Sequence, residues 1–565
     1  MAYRAIYCPK LPWMVDFYSS PDGKVHDQQL KSAFARTYID HLSYLNPESV
    51  AAKHRMTQLV CTIPESITVS AIEELLNCGM SMARIPMTMT KPKCMEVISK
   101  LRQTCDRFSK KLGRLYPLAI ALEFRGTEIR TGNLRNPDKK PIKLEKGQQT
   151  KITTDPSFQN LVTPELIYVD YQKISKLVKP GDKLLLDNGK VRLSALEVAE
   201  EMIKCIVNKT GELHSNVPVT LMNAPLEVTP PGDEYMKNIE FALDMQVDAI
   251  IMTTIVDERN IKLLHEKIKD EEKKATIIAS IGNTQALDNF DDIVKAADAI
   301  YVSSAELVGE LPKEKIFLVQ KSLIARCNKI GKPVLCSIEV AEYGSLSEAE
   351  ITKIVSFISD GVDCFVLTQH DLENHLFLES IKHINVICRE GESATHQRRI
   401  FNELTDHFTW SSEPIYCLAI AAVESSFKCN AAAIVIATRT GRGAKVLSRF
   451  RPRCPIISVI KLEQNAKELQ IYKGVIPIVF ISKHGSNWKK EIDERVQLGI
   501  TFGKLAGYIR MGDIVIVVCA SKRNSGFTNT MKIVFASEFD TIMKMKKIRE
   551  TIRVSVSVIK SCLVT

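Results

Sequence analysis

Eight short apolar runs, spaced by segments of helical period and interrupted once after the third, constrain this chain more than any other feature. They fall at 59–63, 82–87, 118–123, 249–254, 276–281, 299–304, 333–338 and 364–368. A continuous apolar run of this length suits a strand buried on both faces. Helical spacing recurs at 71–77, 94–112, 234–246, 260–273, 313–330 and 347–359. Strands that alternate with helices build parallel βα units, and eight such units predict a (β/α)8 barrel in an α/β protein.

The interruption has a different character. Between about 131 and 224 short strand patterns are punctuated by Gly132, Asn136, Pro137, Gly147, Pro180, Gly181, Asn188 and Gly189, which predicts an inserted small β-barrel domain. Beyond 399 a helix at 415–428 leads to strand patterns at 431–437, 455–460, 476–481, 513–519 and 530–536. The expected plan is an N-terminal arm and helix at 1–54, with the helix over 29–45. A barrel follows at 55–130 and 225–398, with the β domain at 131–224. A C-terminal α/β effector-binding domain at 399–536 and a basic tail at 537–565 complete it.

Composition excludes several function classes. The longest apolar runs are far too short to span a bilayer, and the first residues lack the apolar core of a signal peptide. The cysteines are scattered with no C-x-x-C pair, the usage expected of reduced thiols in the cytoplasm. A net charge of +10 over 565 residues is mild, and no basic stripe carries interleaved aromatics, which argues against nucleic acid. The tail ends Cys562, Leu563, Val564, Thr565 behind a basic run, a C-a-a-X pattern with an atypical last residue.

The third run carries the most chemistry. LAIALEFRGTEIRTG, at 118–132, starts as a buried strand and ends in Glu123, Arg125, Glu128 and Arg130. Charge at the end of a buried strand needs water, metal or ligand, and barrel active sites lie at the C-terminal strand ends. The other ends are ARIPMTMT (83–90), TIIASIGN (276–283), SSAELVGE (303–310), Ile338 with Glu339, and LTQHDLEN (367–374).

These segments resemble those of the pyruvate kinase family, with gaps, from about residue 29 to 536. The resemblance implies phosphoryl transfer from phosphoenolpyruvate to ADP, giving pyruvate and ATP in glycolysis, with Mg²⁺ and K⁺ as cofactors. It implies substrate binding by Arg84, Arg130 and Thr368, and potassium ligation near Thr88 and Glu123. Pro86 and Phe124 stand where the family has an asparagine and a threonine as further potassium ligands. The largest departure is at 276–283. The family reads I-S-K-I-E-N there, its lysine stabilising the transition state and its glutamate binding divalent metal. This chain has Ser280 and Gly282 at those positions. Glu306 keeps the second metal carboxylate, while Ser304 replaces an arginine. A hydroxyl supplies no positive charge and a glycine no side-chain oxygen.

The C-terminal segment TRTGRGAKVLSRFRPR (438–453) follows a strand with a glycine turn and a basic helix, a setting suited to phosphate. It resembles the loop that holds a phosphate in family members activated by a sugar bisphosphate. Thr438, Arg439, Thr440, Gly441, Arg442 and Gly443 fill that loop, and Trp488 and Arg495 keep the spacing of two further contacts. SGFTNTM at 525–531, with Ser525 and Gly526, matches the closing loop. The expectation is therefore a family member whose catalysis is lost or strongly impaired, with a retained sugar-phosphate effector site. A subunit role, in homo- or hetero-tetramers with pyruvate kinase chains, is also expected. The alternative is a still-active kinase with an altered mouth.

Overall fold

A computed structural model describes residues 28–50, 52, 54–86, 89–124, 129–135, 141–187, 189–200, 202–217, 219–221, 233–270, 274–304, 306–307, 311–339, 346–368, 375–408, 413–481, 487–523 and 525–537. Residues 1–27 of the expected arm, 538–565 of the basic tail, Thr88 and the segment 369–374 lie outside them.

Eight strands form a closed parallel barrel. Their order is Gln58–Thr62, Cys364–Thr368, Val334–Glu339, Ala299–Val302, Thr276–Ile281, Ala249–Met252, Ala119–Phe124 and Met80–Pro86, which returns to the first. The apolar runs become these strands because both faces are covered, so alternation is unnecessary. Every residue of Thr276–Ile281 is buried, as is every residue of Ala119–Phe124. The chain divides into two compact units, Met1–Ala121 with Ile324–Thr565, and Leu122–Leu323.

In the first unit, Gln58–Thr62 pairs with Cys364–Thr368 and with Met80–Pro86, bringing Thr62 opposite Arg84. The helix Glu348–Asp360 starts at a capping box between Ser347 and Glu350 and stops at Gly361, whose φ of 92° needs a residue without Cβ. A five-stranded sheet follows in the order Val475–Val479, Ile456–Ile460, Ala433–Ala437, Ile514–Cys519 and Thr530–Phe535. The last strand runs antiparallel to its neighbour.

In the second unit the inserted region forms a six-stranded sheet and a two-stranded one around a shared apolar core. It is not purely β: Pro156–Phe158 makes a 3₁₀ turn and Ile174–Leu177 a turn of helix.

Two readings of local structure change. The single helix expected over 29–45 is two, Leu30–Ala33 and Tyr38–Ser43. Thr37 is extended and its hydroxyl accepts the Asp40 N–H, so it caps a new helix instead of continuing the old one. Helices at Phe290–Ala296, His375–Ser393 and Gln397–Asp406 were not foreseen from periodicity.

Candidate functional site

The strand ends of the second unit hold the residues with the largest departures. Ser280 is completely buried, next to Ile281 at the end of its strand. Its hydroxyl has no hydrogen-bond partner among the described residues. A buried, unpaired hydroxyl costs free energy and carries no charge to offer a ligand.

Two residues on, Gly282 explains where Glu306 goes. A Cβ placed on Gly282 would lie 1.8 Å from a Glu306 carboxylate oxygen and 2.7 Å from the Glu306 Cβ. The Glu306 side chain therefore occupies the volume a larger residue at 282 would need. Of the two carboxylates that the resemblance assigns to divalent metal, one is absent and the other fills its space. Among the described residues no group of three or more histidine, cysteine, aspartate or glutamate side chains could hold a metal ion. Mg²⁺ ordinarily draws on one or two carboxylates together with substrate oxygens and waters, and of the assigned pair only the Glu306 carboxylate remains here.

Neighbouring polar groups are spent on structure. Ser304, where the resemblance implies an arginine, is buried and accepts a hydrogen bond from Gln320 at 2.8 Å. The Asn283 side chain accepts the Ala286 N–H and donates to the Ile255 carbonyl. Thr253 donates both its N–H and its hydroxyl to the Phe124 carbonyl, at 3.0 and 3.1 Å. Phe124 is buried, and its side chain has no oxygen for potassium; Glu123 beside it is also buried. Arg130 belongs to the inserted region, where its guanidinium donates to the Asn216 carbonyl at 2.6 Å and its N–H to Asp170.

In the first unit, Arg84 donates to the Thr62 hydroxyl at 2.9 Å. Thr368 faces the Ile338 carbonyl at 3.5 Å and pairs in register with Glu339.

The glycine turn of the C-terminal sheet is built differently. Strand Ala433–Ala437 ends at Thr438, whose hydroxyl accepts the Gly441 N–H at 3.3 Å. Gly441, at φ 81°, caps the helix Arg442–Arg449. Thr440 receives the Arg442 N–H at 3.5 Å, and the Arg442 guanidinium pairs with Glu413. Arg439 is exposed, and its carbonyl accepts from Asn465. Helix N–H groups, two hydroxyls and two arginines make an electropositive turn. Ser525 donates to the Phe527 carbonyl, and Gly526, at φ 80°, faces open space. A Cβ on Gly443 would meet the Ile436 Cδ1 at 2.6 Å and the Thr528 hydroxyl at 3.1 Å, so this position has little room for serine.

Arg495 departs from the expected contact role. It is only 2% exposed, and its guanidinium donates to the carbonyls of Thr438 and Val459. Burial pulls its pKa down to about 10, against the nearby Glu491 charge. It holds the strand ends under the turn from inside. Trp488 opens the helix Trp488–Leu505, with its indole N–H buried.

The described cysteines are free thiols. Burial raises Cys61, Cys388 and Cys454 to about 12, which leaves them as unreactive packing groups. No described helix is long and apolar enough to cross a membrane.

Comparison with known proteins agrees with this architecture along almost the whole chain. Residues 54–380 match the family described as pyruvate kinase, barrel domain, and residues 417–534 the pyruvate kinase alpha/beta domain. The chain is 33% identical over 516 residues to pyruvate kinase PKLR of Rattus norvegicus, covering 90% of each. It is 29% identical over 504 residues to pyruvate kinase 1 of Trypanosoma brucei brucei, covering 88% of this chain and 99% of the relative. Over 506 residues it is 28% identical to the pyruvate kinase of Candida albicans, covering 88% of this chain and 99% of the relative.

Proposed function

The chain belongs to the pyruvate kinase family, and from that premise we propose that it is a glycolytic family member in which transfer of phosphate from phosphoenolpyruvate to ADP is lost or strongly impaired. The observation that carries this reading is the triad at one strand end. Ser280 is buried and uncharged, Gly282 has no side chain, and the Glu306 carboxylate folds into the space above it. Phosphoryl transfer depends on positioning and on fixed positive charge at the migrating group. Removing one preorganised donor costs on the order of 10²–10³ in rate, and the effects of several such losses do not simply multiply. The Mg²⁺ and K⁺ of the family reaction have a depleted donor set in this reading, so no step is drawn through either.

The second half of the proposal is a sensor or subunit role. Thr438, Thr440, Gly441 and Arg442 supply a phosphate-sized turn, with Arg439 exposed beside it. A sugar bisphosphate is the effector class that fits, with Gly443, Ser525 and Gly526 bordering it. Trp488 is kept as a ring contact, while Arg495 supports the turn from beneath. Assembly with other pyruvate kinase chains, as a homo- or hetero-tetramer, and a cytoplasmic setting belong to the same reading.

The test pairs two measurements on the purified full chain. Pyruvate release with phosphoenolpyruvate, ADP, Mg²⁺ and K⁺ should match that of a Ser280→Ala variant. Fructose 1,6-bisphosphate should raise the melting temperature of the wild type and leave an Arg442→Ala variant unmoved. Clear turnover that Ser280→Ala abolishes would favour a working kinase. An unmoved wild-type melting temperature would remove the sensor half.

A further inference from the structure

The first unit holds a cavity that none of these roles uses. It measures about 40 Å³ and is lined by Arg389, Glu392, Gln397, Arg451, Arg453 and Lys473, among others. That is room for a few waters, at roughly 10–15 Å³ each, or for one small anion.

Its charges are unevenly matched. Glu392 is satisfied by backbone, its two carboxylate oxygens accepting the N–H groups of Met56 and Thr57 at 2.8 and 2.7 Å. Arg451 is 8% exposed, and its terminal nitrogens bind Asp363, Asn328 and the Gly361 carbonyl. Its Nε–H, however, has no partner among the described residues. Arg389 donates to the Asn385 and Ala52 carbonyls. Lys473 is held by its backbone: its N–H donates to Asp363 at 3.2 Å and its carbonyl accepts from Ser448 at 2.8 Å. Its side chain lines the same cavity, and burial lowers its pKa against the pull of Glu392. One acceptor is also unmet. The Gln397 amide donates to the Glu392 carbonyl at 2.6 Å, while its own oxygen is buried and unpaired.

We propose that this cavity binds a small oxyanion bearing one hydroxyl, of which hydrogen phosphate is the simplest, between Lys473 Nζ, Arg451 Nε and Gln397 Oε1. The charge excess of the lining calls for an anion, and buried polar groups without partners call for hydrogen bonds. Phosphate oxygens accept from the ammonium and from Nε–H, and the single O–H of hydrogen phosphate donates to the glutamine oxygen. The ligand would join the start of the helix Gln397–Asp406 to the segments that carry Arg451 and Lys473.

Calorimetric titration with inorganic phosphate, at constant ionic strength, tests this on the full chain. Binding should persist in Arg442→Ala, where any phosphate held at the separate glycine turn is lost. Lys473→Met should weaken binding about tenfold or more, the worth of one charge-assisted hydrogen bond. Gln397→Leu, a milder change that also serves if Lys473→Met fails to fold, should weaken it severalfold. Absence of binding in wild type, its loss in Arg442→Ala, or full affinity in both cavity variants would overturn the proposal.

Discussion

Ser280 and Arg495 are both buried polar side chains next to the end of a parallel strand, yet their surroundings have diverged. The Ser280 hydroxyl has no partner among the described residues, in a place where the resemblance implies a charged amine. Arg495 keeps its charge in the interior and spends it on the carbonyls of Thr438 and Val459, which shape the glycine turn. One terminal nitrogen makes both bonds, while the Arg495 Nε–H has no partner among the described residues, so the cation is only partly satisfied. At Ser280 the charge that the resemblance implies is absent, while the C-terminal turn rests on one that is present.

The largest effect that sharpens the contrast is on the C-terminal side. Arg495→Ala strips two carbonyls of a donor and opens a cavity, so stability should fall by about 3 kcal/mol. Urea unfolding followed by circular dichroism would measure it, and a change near zero would break the comparison. Next comes Gly282→Ala. Its new methyl meets both the carboxylate and the Cβ of Glu306, and overpacking of this kind costs about 1–3 kcal/mol. Part of that loss should return in the double variant Gly282→Ala, Glu306→Gly, where the obstructing side chain is gone. An additive double variant would mean that Glu306 does not fill that space. The smallest effect belongs to Ser280→Ala. Deleting an unpartnered hydroxyl removes its burial penalty, so stability should hold or rise by up to about 1 kcal/mol. A clear loss would reveal a hydrogen bond made in solution.

A pH dependence lies outside both regions and checks that the contrast is not a general softness of the fold. His396 stacks on His41 with ring centroids 4.4 Å apart, and burial, with the His41 and Arg399 charges, lowers its pKa below the ordinary 6.5. The folded chain thus binds this proton less readily than the unfolded chain. Stability from this site is full above about 6.5 and declines as pH falls through that value. Melting temperature between pH 8 and pH 5 should drop less in His396→Phe than in wild type.

The barrel was legible because its strands are unbroken apolar runs, as in TIIASI and AIIM, framed by segments of helical period. The break at Phe34–Thr37 was not, since a threonine inside a helical pattern reads as tolerated until its hydroxyl is seen to cap Asp40. The helix Gln397–Asp406 carries an apolar stripe so thin that only Phe401 is fully buried. At the site, the identities of Ser280 and Gly282 could be read directly. What the Glu306 side chain does over Gly282 could not, because it depends on two backbone segments coming within contact distance. The burial of Arg495 was equally hidden: an arginine in an otherwise ordinary helix reads as a surface contact, and only packing against Ala437 and Cys519 turns the helix face inward.

The central claim is that the barrel end lacks the charge and metal ligands needed to move a phosphoryl group. A rapid-quench single turnover asks this directly, with protein in molar excess over radiolabelled phosphoenolpyruvate and with ADP, Mg²⁺ and K⁺ present. The account predicts no labelled ATP above the protein-free control, in wild type and in Ser280→Ala alike. A wild-type burst approaching one equivalent of ATP, absent from Ser280→Ala, would contradict it.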